Sequence, residues 1–135
     1  MGTKNIAIVG ASGAVGQEAV KVLEKSDIKP AGLRLFASKR SAGKKMSFRG
    51  GLIEVEELKE DSFKDIDIAI FSIGASLSKK YAGEAVKQSC IVIDNSSAFR
   101  MDNDVPLIIP EINEKQIHNH KGIIANPNCT TIISL

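Results

Sequence analysis

One stretch near the start of the chain decides its fold: Ile6-Ala7-Ile8-Val9-Gly10-Ala11-Ser12-Gly13-Ala14-Val15-Gly16. The apolar run from Ile6 to Val9 predicts a short buried strand, and residues 14–25 predict a helix. The apolar face of this helix is expected to contain Val15, Ala19, Val22 and Leu23. A strand, a glycine-rich turn and a helix in this order are typical of the first unit of a nucleotide-binding sheet.

The glycines of this turn are spaced Gly-x-x-Gly-x-x-Gly, which is offset by one residue from the usual Gly-x-Gly-x-x-Gly. Such a turn lets backbone amides approach a pyrophosphate at the N-terminus of the helix, where the helix carries a positive partial charge. We therefore predict a dinucleotide site formed by Gly10, Ser12, Gly13, Ala14, Val15 and Gly16. A tight strand-to-helix turn that binds nothing is the alternative.

The remaining pattern alternates strands with helices. It predicts strands at 33–37, 66–72, 91–93 and 122–125, a hairpin at 48–52, a helix at about 77–88 with Ser76 or Ser78 as N-cap, and a short helical stretch at 114–118. This order indicates an α/β, Rossmann-like, doubly wound and mostly parallel sheet. Because residues 130–135 resemble the opening of another helix, we interpret residues 1–135 as the dinucleotide-binding domain of a longer protein, without its C-terminal catalytic and dimerisation domain.

The end of the second predicted strand indicates which dinucleotide is bound. NAD sites usually have an acidic residue there, about 20 residues past the glycines, to accept from the ribose hydroxyl. This chain has Ala37-Ser38-Lys39-Arg40-Ser41 instead, with no carboxylate. Because a guanidinium and hydroxyls suit a phosphate, Ser38, Arg40 and Ser41 favour NADP. A solvated basic loop is the alternative.

Two residues further along are candidates for chemistry. Cys129 follows the turn at Asn126-Pro127-Asn128 and is predicted at a helix N-terminus, which lowers a thiol pKa and favours a nucleophile. A thiolate beside a nicotinamide can oxidise or reduce an aldehyde through a thioester. Arg100 follows a predicted strand end and suits an anion such as phosphate, although spacing alone is equally consistent with a surface arginine.

Composition excludes several classes of function. The net charge of +2 and the 4% aromatic content give no basic stripe with interleaved rings, so nucleic-acid binding is not predicted. The apolar runs are too short to cross a bilayer and no signal peptide is evident, so we predict a cytoplasmic protein with a buried, reduced Cys90. His118 and His120 are interpreted as solvated loop residues, and no metal site is predicted.

The combined motifs closely resemble the aspartate-β-semialdehyde dehydrogenase family across essentially the whole chain. The matching segments are residues 10–16, 38–44, 71–76, 94–100, 104–107, 110–113 and 127–131. The resemblance implies a homodimeric, NADPH-dependent and phosphate-requiring enzyme that interconverts L-aspartyl 4-phosphate and L-aspartate 4-semialdehyde on the route to lysine, threonine and methionine. It also implies that the histidine acid/base and the arginine for the substrate carboxylate lie beyond this chain, so that the chain alone is inactive.

Position by position, the resemblance assigns roles to residues already singled out. Cys129 would be the thioester nucleophile, Arg100 would bind the acyl phosphate or inorganic phosphate, and Asn128 would position the substrate. The remaining family positions belong to the cofactor: Ser12 to Val15 for the pyrophosphate, Arg40 and Ser41 for the 2′-phosphate, and Ser72, Gly74 and Ala75 for the wall near the cofactor.

Two other interpretations stay open at this point. One is a related thioester-forming, phosphate-dependent dehydrogenase of the N-acetylglutamyl-phosphate reductase or glyceraldehyde-phosphate type. The other is an NADP-sensing domain without chemistry, which would contain a thiol of ordinary reactivity.

Overall fold

A computed structural model gives the structure of residues 3–128. In chain order this part contains β1 (Asn5–Val9), α1 (Ala14–Lys25), β2 (Gly32–Ala37), β3 (Lys45–Phe48), β4 (Gly51–Glu57), β5 (Ile68–Phe71), α2 (Ala75–Lys87), β6 (Ile91–Asp94), α3 (Pro110–Asn113), a 3-10 helix (Glu114–Asn119) and β7 (Ile123–Ala125).

The strands form one seven-stranded sheet in the order β3-β4-β2-β1-β5-β6-β7. All neighbouring strands are parallel except β3 and β4, which form an antiparallel hairpin. The chain builds outward from β1 in one direction through β2 and β4, and then returns to build outward in the other direction through β5, β6 and β7. The prediction of an α/β, doubly wound and mostly parallel sheet is confirmed, and its switch point lies between β1 and β5, where the strand ends leave a crevice for a ligand.

The helices cover opposite faces of the sheet. Val20 and Leu23 of α1 pack in one core layer with Ile8 and Leu35. Ala82 and Ala85 of α2 pack in the other layer, which also contains a group of phenylalanines: Phe36, Phe63 and Phe71. Because both faces are covered, the central strands are apolar throughout rather than alternating.

The predicted apolar face of α1 is confirmed at Leu23, which is buried, and at Ala19, which packs against the same core layer, but it is wrong at Val15 and Val22. Gly16, Val20 and Leu23 are the buried residues, whereas Val15 and Val22 are 61% and 66% exposed. The reason is tertiary: the turn at Gly10 sets the rotation with which the helix leaves the sheet, and that rotation decides which residues face the strands.

The predicted hairpin at 48–52 is confirmed, and its turn consists of Arg49 and Gly50, with φ values of 47° and 82°. Arg49 tolerates the left-handed conformation because its guanidinium Nη2 donates to the carbonyls of Leu23, Ser26 and Ile28 at 2.9, 3.1 and 2.7 Å. These carbonyls lie at and just beyond the end of α1, where helix carbonyls lack partners of their own.

The beginning of α2 also differs from the prediction. Gly74 is the N-cap and makes no side-chain cap bond, so neither Ser76 nor Ser78 has that role. Ser78 is fully buried and its hydroxyl donates to Asp94 Oδ1 at 2.9 Å. The helix therefore begins earlier than predicted, and its serine is used to anchor a strand end.

Candidate cofactor and anion site

The glycine turn after β1 is shaped by close backbone approach. Gly10 has φ +85°, and a Cβ there would collide with the carbonyl of Ser72. A Cβ on Gly16 would collide with the carbonyl oxygen of Gly10, whereas a Cβ on Gly13 would meet that oxygen at an ordinary 3.5 Å. Two of the three glycines are thus required by packing, while Gly13 leaves the turn open toward solvent.

This turn presents backbone donors at the beginning of α1. Among residues 3–128, the amides of Ser12, Ala14 and Val15 donate to no protein acceptor, and Gly13 caps the helix without a side-chain bond. Unpaired amides at a helix N-terminus suit an anion. The residues present therefore fit a pyrophosphate.

A cavity of about 320 Å³, which we call the β2-side cavity, opens beside this turn. Its apolar wall is formed by Leu58, Ile73, Leu77 and Tyr81. Its polar wall includes Ser12, Ser38, Lys39 and Glu57. An apolar cleft with a few polar groups is typical of a site for a ring and its sugar.

The predicted 2′-phosphate loop lies at the edge of this cavity. Ser38 lines the cavity, whereas Arg40 and Ser41 are not among the lining residues. The loop turns tightly, since the amide of Ser41 donates to the carbonyl of Ser38 at 3.0 Å. Arg40 is exposed and adjoins the cavity only through its chain neighbours.

A second cavity, of about 540 Å³, lies on the other side of the turn at the ends of β5, β6 and β7. We call it the β5–β7 cavity. It is lined by Val15, Ser72, Ile73, Asn95, Arg100, Asn126, Pro127 and Asn128. Ile73 lines both cavities, so the two are adjacent, with the glycine turn between them.

Arg100 is held in the β5–β7 cavity by main-chain carbonyls. Its Nε donates to Asn126 O at 2.9 Å and its Nη2 donates to Asn95 O at 2.8 Å. Within the part of the chain that the structure describes, Nη1 has no acceptor. The guanidinium is therefore fixed in direction with donors left over, which is an arrangement that suits an anion.

Asn95 and Asn126 join the ends of three strands. Asn126 Nδ2 donates to Asn95 Oδ1 at 2.6 Å, and Asn95 Nδ2 donates to Ser72 Oγ at 3.4 Å. Sequence reasoning assigned no role to either asparagine. The available signal was weak: each follows a predicted strand end, where polar side chains of parallel strands meet.

Asp94 fixes the loop that contains Asn95 through hydrogen bonds to its side chain. Its side chain is fully buried and accepts from Ser78 Oγ at 2.9 Å and from Ser96 Oγ at 2.6 Å. The amide of Ser96 also donates to it at 3.2 Å. A buried carboxylate with several donors holds its loop firmly in place, and this loop contains Asn95.

The other predicted site residues differ in whether they line a cavity. Gly74 and Ala75 lie at the beginning of α2 and line neither cavity. Asn128 is exposed and lines the β5–β7 cavity. Cys129 lies outside the described residues, so the structure does not address its predicted place at a helix N-terminus.

The environment of the other cysteine, Cys90, makes its thiol unreactive. Cys90 is 2% exposed in the core beneath α2, as the sequence predicts. Burial, with a smaller contribution from the charge of Asp67, raises the pKa of Cys90 to about 12. No helix of residues 3–128 has the length and apolar character needed to span a bilayer.

Comparison with known proteins agrees with this architecture. The family model described as "Semialdehyde dehydrogenase, NAD binding domain" matches residues 5–120. An aspartate-semialdehyde dehydrogenase from Bacillus subtilis is 53% identical over 128 residues, which are 95% of this chain and 37% of that protein. The chain thus spans little more than a third of the length of this curated relative.

Solved structures give the same result. Aspartate semialdehyde dehydrogenase II from Vibrio cholerae, complexed with ASA, has a TM-score of 0.95 and 43% identity, covering 99% of this chain and 44% of that one. Aspartate semialdehyde dehydrogenase with NADP from Candida albicans has a TM-score of 0.80 and 26% identity, covering 96% of this chain and 44% of that one. The resemblance inferred from the motifs is confirmed, and the chain belongs to the family of semialdehyde dehydrogenase NAD-binding domains.

Proposed function

We propose that this chain is the cofactor-binding and nucleophile-bearing part of an aspartate-semialdehyde dehydrogenase. One observation carries the proposal: a dinucleotide-type glycine turn lies between an apolar cavity and a cavity lined by a fixed arginine. The family match to residues 5–120 supports it. The complete enzyme would be a cytoplasmic homodimer, with its acid/base histidine in the part that follows residue 135.

The cofactor of this proposal is NADP. The amides of Ser12, Ala14 and Val15 would hold its pyrophosphate, and the loop at Ser38, Arg40 and Ser41 would hold the 2′-phosphate. A bound nicotinamide supplies hydride transfer. The Candida albicans relative, which was solved with NADP, supports this choice.

The reaction would proceed through a thioester at Cys129. The thiolate would add to the aldehyde carbon of L-aspartate 4-semialdehyde, and hydride would leave that carbon for the oxidised nicotinamide, giving an acyl thioester. Phosphate then attacks the thioester carbonyl and expels the thiolate, giving L-aspartyl 4-phosphate, and the reverse sequence is the reduction. Arg100 Nη1 would hold the phosphate, because Nε and Nη2 are already bound to carbonyls. Asn128 would position the substrate.

Turnover of the complete protein with three aldehydes tests the reaction. L-aspartate 4-semialdehyde should be oxidised with NADP and phosphate at least a hundredfold more efficiently than N-acetylglutamate semialdehyde or glyceraldehyde 3-phosphate, because a site discriminates strongly through polar groups left unpaired by the wrong substrate. The 135-residue chain alone should show no turnover. Preference for either other aldehyde would overturn the proposed substrate, and turnover by the chain alone would overturn the assignment of the acid/base to a residue outside it.

Calorimetric titration of the chain with NADP and NAD tests the cofactor. NADP should bind more tightly, and Arg40→Ala should reduce the difference because it removes a donor to the 2′-phosphate. Lys115→Ala serves as a matched control, since it removes one exposed positive charge on the 3-10 helix, which lines neither cavity. Equal affinities in the unmodified chain would contradict the NADP preference.

A further inference from the structure

We propose that Glu57 is a specificity-determining residue of the β2-side cavity, where its carboxylate lowers the preference for NADP over NAD. This inference rests on the proposed dinucleotide function. The sequence has no carboxylate at the end of β2, but the neighbouring strand β4 ends in Glu57, directly opposite Ala37.

The placement follows from the register of two parallel strands. β2 and β4 pair so that Ala37 lies opposite Glu57, and the amide of Leu58 donates to the carbonyl of Ala37 at 2.8 Å. Glu57 and Ser38 line the same cavity. In many dinucleotide sites an acidic residue at the end of the second strand accepts from the adenosine ribose hydroxyl. Glu57 lies one strand over, opposite the residue that ends β2.

The environment leaves the carboxylate available for a ligand. The preceding residue, Glu56, is bound by Arg34 through two contacts of 2.7 and 3.0 Å. Glu57 is half-buried, and its side chain makes no hydrogen bond or ion pair with any of the residues from 3 to 128. Lys39 is the other charged residue on the cavity wall.

The two cofactors would experience this charge in opposite ways. The 2′-hydroxyl of NAD donates to a carboxylate, forming a charge-assisted hydrogen bond. The 2′-phosphate of NADP is mostly dianionic at neutral pH and is repelled by the carboxylate. Glu57 thus acts against the loop at 38–41, which attracts the phosphate, and the measured preference would be the balance of the two.

The test is the ratio of the NAD and NADP dissociation constants, measured by calorimetry on the chain and on Glu57→Gln. Removing the charge should raise this ratio about fivefold, with NADP binding more tightly and NAD more weakly, because half-buried charge effects are partly screened. Glu54→Gln is the matched control: it makes the same charge change at an exposed position of β4 that lines neither cavity. Glu57→Thr should shift the ratio in the same direction if the amide variant does not fold.

The outcomes separate this inference from the proposed function. A ratio that stays within twofold in both Glu57 variants, or that changes equally in Glu54→Gln, would overturn the role of Glu57 even if NADP is preferred. Equal affinities in the unmodified chain, together with a raised ratio in Glu57→Gln, would overturn the NADP preference and support Glu57. Binding of neither cofactor would overturn both.

Discussion

The two cavities beside the glycine turn are built in different ways. The β2-side cavity lies against the backbone of the glycine turn, at Gly10 and Ser12, and is closed by an apolar wall and by polar residues at the ends of β2 and β4. The β5–β7 cavity is formed by side-chain hydrogen bonds between residues far apart in sequence, such as Asn95 with Asn126, 31 residues away. The glycine turn beside the first cavity depends on local conformation, whereas the hydrogen bonds that form the second depend on assembly of the sheet.

This difference teaches where each cavity is vulnerable. A steric change of one methyl group should damage the glycine turn, because backbone atoms cannot move away from a Cβ as a flexible side chain can. The β5–β7 cavity should instead fail through loss of a polar partner that leaves buried donors unsatisfied.

The largest expected effect is a difference in alkylation rate between the two cysteines. Cys129 directly follows Asn128, which lines the β5–β7 cavity. With its pKa raised to about 12, Cys90 should have about a thousandfold less thiolate at pH 7.5 than an ordinary thiol. Brief iodoacetamide treatment followed by mass spectrometry should therefore label Cys129 first. In Cys129→Ser, labelling of Cys90 should be slow and should rise about tenfold per pH unit up to about pH 12. Labelling of Cys90 before Cys129 would show that Cys129 is not at an accessible helix N-terminus.

Gly16→Ala should be the next largest change. The added Cβ meets the carbonyl oxygen of Gly10, so α1 must move away from β1, at a cost of about 3 kcal/mol in the free energy of unfolding. Gly13→Ala is the matched control and should cost less than about 1 kcal/mol, because its Cβ makes an ordinary contact at 3.5 Å. Urea denaturation measures both, and equal losses would show that the turn is less constrained than its geometry indicates.

Asp94→Ala tests the polar side of the comparison. The substitution removes the acceptor of Ser78 and Ser96, and should lower the free energy of unfolding by about 2 kcal/mol. Asp104→Ala removes a carboxylate from an exposed pair with Lys121, whose side chains are 75% and 74% exposed, and should cost less than about 0.5 kcal/mol. Similar losses for the two variants would mean that the buried network contributes no more than a surface ion pair.

The smallest effect is expected outside both cavities, at the pair of Arg34 and Glu56. Its two contacts are well formed, at 2.7 and 3.0 Å, and the pair raises the pKa of Arg34 chiefly through the hydrogen bond to Glu56. Both side chains are nevertheless 43% exposed, so Glu56→Gln should cost only about 0.5 kcal/mol in unfolding free energy. The loss should shrink further in 1 M salt, because exposed charges are screened. A loss above about 2 kcal/mol would mean that this exposed pair stabilises the fold as much as the buried Asp94 network does.

Local sequence was sufficient for the elements that depend on nearest neighbours. Residues 14–25 were predicted as a helix and form one with those bounds, and the glycine turn lies between β1 and α1 as expected. The burial of Cys90 could also be predicted, since an apolar strand beginning at a small residue indicates a covered face. Periodicity did not predict all the buried residues of α1. A repeat of 3.6 residues shows which residues share a face of the helix, but the turn before the helix determines how far that face is rotated toward the sheet.

Spacing and the conformational freedom of glycine were enough to predict the order of strands and helices, the glycine turn after β1 and the family. Only the tertiary structure decided that Glu57 lies beside Ala37, that Asn126 bonds Asn95, and that Arg100 is fixed by two carbonyls. These contacts join residues 20 to 31 positions apart or depend on a loop held from beneath by Asp94. The physical reason is that strand order and register are set by packing of the whole sheet, and no local propensity encodes which two strand ends become neighbours.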